Sequence, residues 1–208
     1  FETSSSAYKL FDITAGTITF NGENSVNNLI LDGNSTSTAG MERLINITGS
    51  GSVIANYVTM QNLPGTSTAS AIFANSSGGT ITLNNVTIKN IKGKNGAGIN
   101  LNSLAELNLN NTTIEYCEAT SIGGAINITM ATICNIKNCI FRNNKVTEAN
   151  GDYFGGGAIA ISNANAVVTI DDNTMNEGTV TVRHRDSMEQ EVVKLEDLVK
   201  YVEDRIKF

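Results

Sequence analysis

A regular internal repeat constrains this chain more than any other feature of its sequence. Five short stretches that each begin with isoleucine recur along the chain, at residues 45–48, 72–75, 99–102, 126–129 and 159–162. The first four are evenly spaced, and the last interval is slightly longer. Apolar and mostly polar residues alternate within them, which is typical of a strand with one buried face. Because self-similarity at a fixed period is the signature of a solenoid, we expect the chain to coil into stacked turns.

A second set of apolar positions repeats at nearly the same interval. Its members occur once per repeat, at Leu31, Met60, Ile88, Ile114, Phe141 and Ile170. Two or three short strands per repeat fit one turn of a β-solenoid, in which each turn pairs with the next about 4.7–4.8 Å away. We therefore predict an all-β fold, a right-handed parallel β-helix of about five to six turns over residues 1–165.

Charged residues at one position of the repeat alternate in sign from turn to turn. Lys89, Glu115 and Arg142 each follow a residue of the second column. Stacking the turns places these opposite charges side by side, and such pairs contribute roughly 0.2–1 kcal/mol each. The alternation supports the alignment and indicates an outward-facing position.

Asparagine and glycine mark the corners of the repeat. Asn62, Asn90 and Asn143 recur at one corner, where stacked amides bond to one another and to the turning backbone. Small residues recur at another corner, as Gly-Ala-Gly-Ile and then twice as Gly-Gly-Ala-Ile, at 96–99, 123–126 and 156–159. Such residues permit positive φ and a close approach of neighbouring backbones. A solenoid fold thus explains why asparagine and glycine are abundant in this chain.

The composition excludes several classes of protein. Hydrophobic residues make up 40% of the 208 residues and charged residues 16%, with a net charge of −6. The apolar content is too high for a disordered chain, and no apolar run approaches the roughly 18 residues of a membrane-spanning helix. A net negative charge offers no general basic surface. Neither a nucleic-acid partner nor membrane insertion is therefore predicted.

The glycine corners carry a resemblance to known repeats. Gly-Gly-Ala-Ile at 123–126 and 156–159, with Phe141-Arg142-Asn143-Asn144 between them, resembles the GGA(I/L/V) and FxxN motifs of polymorphic outer-membrane proteins. The pattern over residues 8–165 resembles the Asn- and Thr-rich right-handed parallel β-helix repeats of bacterial and archaeal adhesin-like surface proteins. The resemblance implies an extracellular, cell-surface adhesin or stalk whose partner is a glycan or a host or partner protein.

A different kind of sequence begins at about residue 166. Residues 166–208 hold ten acidic and six basic residues, and 26 of the 28 asparagines lie before them. Residues 179–182 alternate as a strand. Apolar residues then recur at helical spacing, at Leu195, Leu198, Val199, Val202 and Ile206. We therefore predict that residues 166–208 supply a strand and an amphipathic helix that cap the open end of the solenoid.

This tail is similar to the C-terminal end of glycyl-tRNA synthetases. The similarity rests on Val168-Thr169-Ile170-Asp171 and on the run from Gly178 to Gln190. In that family the stretch closes the anticodon-binding domain. The class II motifs that would hold ATP and glycine do not occur in this sequence, so aminoacylation is not expected. A natural recombinant and an engineered chimera both explain the junction.

No catalytic, cofactor or metal site is predicted. Residues 1–165 hold three aspartates and seven glutamates, and no two of them share a column on adjacent turns, whereas glycosidases need a close carboxylate pair. The cysteines lack the spacing and the histidine partners of a zinc site and are predicted to be small buried side chains: Cys117, Cys134 and Cys139. The chain is thus predicted not to be an enzyme. A lyase or glycosidase fragment and a purely structural spacer are the alternatives.

One loop is the predicted recognition site. Asp152, Tyr153 and Phe154 lie in the insertion that lengthens the last repeat interval, between Ile126 and Ile159. They interrupt the regular surface with aromatic side chains, which are enriched at protein interfaces. We predict that this loop contacts the glycan or protein partner, and that the chain is a monomer or associates weakly through the solenoid ends.

Overall fold

The computed structural model describes residues 8–33, 41–65, 68–147, 156–162, 167–171, 179–183 and 190–194. The chain divides into two compact units, Phe1–Thr169 and Ile170–Phe208. Among the described residues no helix is long and apolar enough to span a membrane.

The first unit is built from short strands joined by tight corners. In chain order they are β1 (Tyr8–Ile13), β2 (Thr17–Asn21), β3 (Leu29–Asp32), β4 (Met41–Thr48), β5 (Ser52–Asn56), β6 (Val58–Leu63), β7 (Ser70–Asn84), β8 (Thr87–Asn95), β9 (Ile99–Asn110), β10 (Thr113–Glu115), β11 (Glu118–Ile122), β12 (Ile126–Ile128), β13 (Ala131–Lys137), β14 (Ile140–Arg142), β15 (Lys145–Val146), β16 (Ile159–Ile161) and β17 (Val167–Asp171). The boundary between the two units falls inside β17.

These strands stack in parallel on three successive faces. The first face runs through β1, β4, β7, β9, β12 and β16, and the second through β2, β5, the later part of β7, the later part of β9, and β13. The third face holds β3, β6, β8, β10 and β14. β11 pairs with the last residues of β8, and β15 pairs with β11. The arrangement is an all-β parallel solenoid of about four turns.

The predicted fold class is confirmed, but two details of that prediction are not. The structure has about four turns, whereas about five to six were predicted. The predicted capping helix falls on residues 195–208, which lie outside the described residues. The cap therefore stays a prediction.

The observed register reproduces both predicted columns. The first column pairs turn by turn from Ile45 to Ile159. The second pairs in the same way from Leu31 to Phe141. Ile170, the last predicted member, lies in β17 at the start of the second unit, and its place in the column stays a prediction.

The core consists of aliphatic side chains stacked along these columns. Its largest fully buried members are Leu44, Ile45, Ile47, Met60, Leu63, Ile72, Ile81, Leu83, Ile88, Ile91, Ile99 and Leu101. Burying such a side chain contributes about 1.5–3 kcal/mol. In the first turn the rings of Phe11 and Phe20 meet edge to face, with centroids 4.8 Å apart. Because a one-residue slip would expose the whole column, this core holds the turns in register.

The second unit contains an antiparallel strand pair. β18 (Thr179–Arg183) pairs with β19 (Gln190–Lys194). The strand predicted at residues 179–182 is therefore confirmed.

Candidate functional site

The predicted recognition residues Asp152, Tyr153 and Phe154 lie outside the described residues, so their role stays a prediction. The described residues contain a different candidate, which lies at the predicted asparagine corner of the solenoid. This corner follows the third face.

A column of residues in the left-handed conformation forms this corner. Asn62, Asn90, Tyr116 and Asn143 have φ values of 60°, 56°, 52° and 54°. Asparagine tolerates this conformation better than most residues, and a bulky side chain is uncommon there. Tyr116 is therefore the exception in an otherwise asparagine column.

The sequence carries a signal for Tyr116 in the spacing of the asparagine corner. Positions 62, 90, 116 and 143 follow one another at nearly equal intervals, so residue 116 occupies the corner position of its own turn. The asparagine series predicts a corner, and of these four positions residue 116 alone is not asparagine. In a repeat protein, such a departure marks a candidate site.

The asparagine side chains form a hydrogen-bonded ladder that stops at Tyr116. Asn62 Nδ2 donates to Asp32 Oδ2 over 3.0 Å, and Asn90 Nδ2 donates to Asn62 Oδ1 over 3.3 Å. Tyr116 has no side-chain amide that could donate to Asn90, and no side chain of the described residues donates to Asn90 Oδ1. The residue Tyr116 is 54% exposed. The ladder therefore leaves an open carbonyl oxygen beside an exposed aromatic ring.

The backbone around Tyr116 is braced by the following turn. The Tyr116 N–H donates to the carbonyl oxygen of Arg142 over 3.2 Å. Asn144 Oδ1 accepts from the N–H of Cys117 over 3.0 Å, and Asn144 Nδ2 donates to the carbonyl oxygen of Ile114 over 2.8 Å. The last residue of the FxxN-like stretch thus holds the chain on both sides of Tyr116. A ring on a fixed backbone loses less entropy when a ligand binds.

Two shallow clefts meet at Tyr116. The first has a volume of about 420 Å³ and is lined by Asn62, Leu63, Pro64, Asn90, Lys92 and Tyr116. The second has a volume of about 430 Å³ and is lined by Tyr116, Cys117, Glu118, Asn143, Asn144 and Lys145. Both volumes fall in the range of about 300–1,000 Å³ found for small-molecule sites. Seven of the eleven lining residues carry a side-chain amide or a charge, so both clefts offer polar groups to a ligand.

The predicted alternation of charge is confirmed beside this corner. Glu115 lies in register with Lys89 and with Arg142. Arg142 Nε donates to Glu115 Oε2 over 2.5 Å, and this hydrogen bond raises the pKa of Arg142. The carboxylate of Glu115 is therefore already engaged in a contact between turns.

The cysteines are buried, as predicted. Cys117, Cys134 and Cys139 all lie in the core. Burial raises the pKa of the Cys117 thiol to about 12 and that of the Cys134 thiol to about 11. Because the thiolate is the reactive form, these two side chains act as small hydrophobic groups at neutral pH.

A second polar cluster links the first turns on the first face. Asn46 Nδ2 donates to Asp12 Oδ1 over 2.6 Å, and Arg43 Nη1 donates to Asn46 Oδ1 over 2.6 Å. The Arg43 guanidinium lies 3.8 Å from the ring centroid of Phe73. The hydrogen bond from Asn46, and then that from Lys9, lowers the pKa of Asp12, while burial lowers the pKa of Arg43. The contacts from Asn46 to Asp12 and from Arg43 to Phe73 join neighbouring turns. No group of three potential metal ligands occurs among the described residues.

Comparison with known proteins finds relatives for the C-terminal part. The family described as anticodon binding domain matches residues 161–205. A glycine–tRNA ligase of Clostridium tetani is 44% identical over 41 residues, which are 20% of this chain and 9% of that protein. A glycine–tRNA ligase of Clostridium acetobutylicum is 50% identical over 40 residues, 19% of this chain and 9% of that protein. The chain thus spans about 9% of the length of these curated relatives. No solved structure matches.

These matches contradict two predictions made from the sequence. The prediction of no nucleic-acid partner is wrong, because the matching family is described by its binding of an anticodon. The prediction that the chain is not an enzyme is wrong as well, because the matched segment is related to an enzyme family. The first prediction relied on net charge, and the second on the placement of carboxylates and cysteines and on the lack of class II motifs. Sequence-specific RNA recognition relies on a few stacking and hydrogen-bonding side chains, and net charge does not report on these.

Proposed function

We propose that the solenoid is an adhesin-like binding module that is displayed on a cell surface and holds a glycan or protein ligand at the Tyr116 corner. The observation that carries this proposal is the exposed ring of Tyr116, fixed between two adjoining clefts. Tyrosine supplies a large contact area at a low cost in conformational entropy. The amides of Asn62 and Asn90 supply hydrogen-bonding groups at the same corner.

Surface display is supported by the resemblance of residues 8–165 to adhesin-like repeats. Antibody labelling of intact cells that produce the protein tests this part of the proposal. Labelling is expected without permeabilisation, and labelling only after permeabilisation contradicts surface display.

Replacing Tyr116 with asparagine is expected to remove ligand binding and to leave the fold intact. Asparagine already occupies the same corner at Asn90 and Asn143, so the left-handed backbone is retained. An aromatic anchor at the centre of an interface contributes about 2 kcal/mol or more, so binding is expected to weaken at least about tenfold. The measurement is binding of the full chain to an array of glycans and proteins, with thermal unfolding recorded for each variant.

The matched control is Tyr57→Asn. Tyr57 is left-handed, with φ of 53°, and heads the other asparagine corner, which continues through Asn85, Asn111 and Asn138. This variant changes the same residue type in the same conformation, and Tyr57 does not line either cleft. Unchanged binding by Tyr116→Asn, or an equal loss in both variants, would place the ligand elsewhere.

We infer a second function for the C-terminal segment, the binding of tRNA through its anticodon. The match of residues 161–205 to the anticodon binding domain family supports it. The identity of 44% and 50% to two glycine–tRNA ligases supports glycine tRNA as the RNA.

The full chain is expected to bind a glycine tRNA transcript more tightly than the same transcript with a replaced anticodon. Each mismatched base in a sequence-specific site costs about 1–3 kcal/mol, so we expect at least about a tenfold difference. Filter binding at one fixed salt concentration measures both affinities, because phosphate contacts make affinity depend on salt. Equal affinity for the two transcripts contradicts recognition of the anticodon.

A further inference from the structure

The Tyr116 corner has a lysine, Lys92, that forms no ion pair with any described residue although Glu118 lies beside it in register. Lys92, Glu118 and Lys145 lie in register on three successive turns. Lys145 Nζ lies 3.2 Å from Glu118 Oε2. Lys92 forms no ion pair within the described part of the chain, and its side chain is exposed. A single positive charge therefore stands at the wall of the first cleft.

The other groups of this cleft offer three further kinds of contact. Tyr116 contributes an exposed aromatic ring, and Asn90 contributes an amide carbonyl oxygen that the ladder leaves open. Asn62 and Pro64 also line this cleft. A pyranose ring matches this combination, because its C–H groups pack on an aromatic face while its hydroxyls exchange hydrogen bonds with amides.

We propose that the first cleft binds a saccharide unit that carries a carboxylate, a uronic or sialic acid, with the carboxylate facing Lys92. This inference rests on the proposed binding function of the Tyr116 corner and names the ligand class. Hydrogen bonds to charged groups are stronger than those between neutral groups. Lys92 therefore selects the acidic sugar, while Tyr116 and Asn90 hold the ring.

The second cleft sets a limit on how much negative charge the ligand carries. Glu118 lines this cleft and is already paired with Lys145, and Glu115 is paired with Arg142. Two carboxylates near the corner disfavour a dense polyanion such as a nucleic acid or a heavily sulfated chain. A chain in which acidic and neutral sugars alternate fits both clefts, with the acidic unit on the Lys92 side of Tyr116.

Lys92→Gln is expected to weaken binding of a carboxylated oligosaccharide and to leave binding of its carboxyl-reduced form unchanged. The probe is a hexasaccharide of alternating glucuronic acid and N-acetylglucosamine, measured by calorimetry on the full chain beside its carboxyl-reduced counterpart. We expect only about a fivefold to tenfold loss of affinity for the acidic probe, because Lys92 is exposed and solvent screens its attraction to the ligand carboxylate. Lys94→Gln is the control, because Lys94 is an exposed lysine on the same strand, β8, and lines neither cleft.

The outcomes separate this inference from the proposed function. An equal loss of affinity for both probes in Lys92→Gln overturns the role of the carboxylate. It does not contradict the proposed binding site at Tyr116. Preference for a sulfated neutral hexasaccharide, or for an acidic peptide, overturns the assignment to a sugar acid. If Tyr116→Asn changes binding to none of the arrayed ligands, the proposed function itself fails.

Discussion

Replacing Ile88 with alanine is expected to lower the free energy of unfolding of the solenoid by about 3–4 kcal/mol. Ile88 is 0% exposed and lies in register between Met60 and Ile114, which are also 0% exposed. Strands above and below hold these neighbours at a fixed spacing, so they cannot close the cavity that the lost atoms leave. The cost therefore includes the cavity as well as the lost burial. Denaturant unfolding followed by circular dichroism measures it.

Two variants at the same place separate the cavity from other causes. Ile88→Val removes one methyl group and is expected to cost only about 1 kcal/mol. Thr87→Ala changes the adjacent half-buried residue and is expected to alter stability by less than about 0.5 kcal/mol. If Ile88→Ala lowers the free energy of unfolding by less than about 1 kcal/mol, the column of Met60, Ile88 and Ile114 is not a continuous packed core.

Replacing Gly124 with alanine is expected to lower the free energy of unfolding by about 3 kcal/mol or to prevent folding. A Cβ atom at this position would meet the carbonyl oxygen of Gly157 and would lie 2.7 Å from the backbone nitrogen and the backbone oxygen of Lys145. These are backbone atoms, so relief of the clash requires neighbouring turns to move apart. Overpacking of this kind typically costs about 1–3 kcal/mol, occasionally more, and here it also weakens hydrogen bonds between turns. Thermal unfolding and the yield of soluble protein measure the effect.

Gly78 provides the matched control for this prediction. Gly78 lies in β7, and a Cβ atom there would have no neighbour within 4 Å. Gly78→Ala is therefore expected to leave stability unchanged or slightly raised, because alanine reduces the freedom of the unfolded chain. Equal effects of the two substitutions would contradict a steric role for the Gly124 corner.

Much of the solenoid could be predicted from the sequence because its long-range contacts repeat. Ile45 and Ile72 are one repeat apart in sequence and pair directly in the fold. When each turn stacks on an equivalent turn, the spacing of like residues is also the spacing of contacts. The alternating charges of Lys89, Glu115 and Arg142 confirmed the same register from the outward side.

The candidate site was harder to predict, because it arises where the repeat fails. In the sequence, Tyr116 is one aromatic residue in a polar stretch. The structure shows that its backbone is left-handed. Two neighbours make Tyr116 a candidate site. Asn144 braces its backbone from the following turn, and Asn90 is the last asparagine of the ladder that stops at Tyr116. The prediction of no nucleic-acid partner is wrong for another reason, which concerns the C-terminal segment. Net charge and solenoid composition say little about a short segment that matches a different family, as residues 161–205 do.

By itself, the sequence determined the fold class, the register of the two apolar columns and the burial of the cysteines. These follow from periodicity and hydrophobic burial, which act alike at every turn. Only the tertiary structure decided where the regular surface opens into clefts, and that Lys92, which lines one of them, forms no ion pair among the described residues. Such properties depend on side chains from several turns meeting at one corner, and their geometry is set by backbone conformation as well as by spacing along the chain.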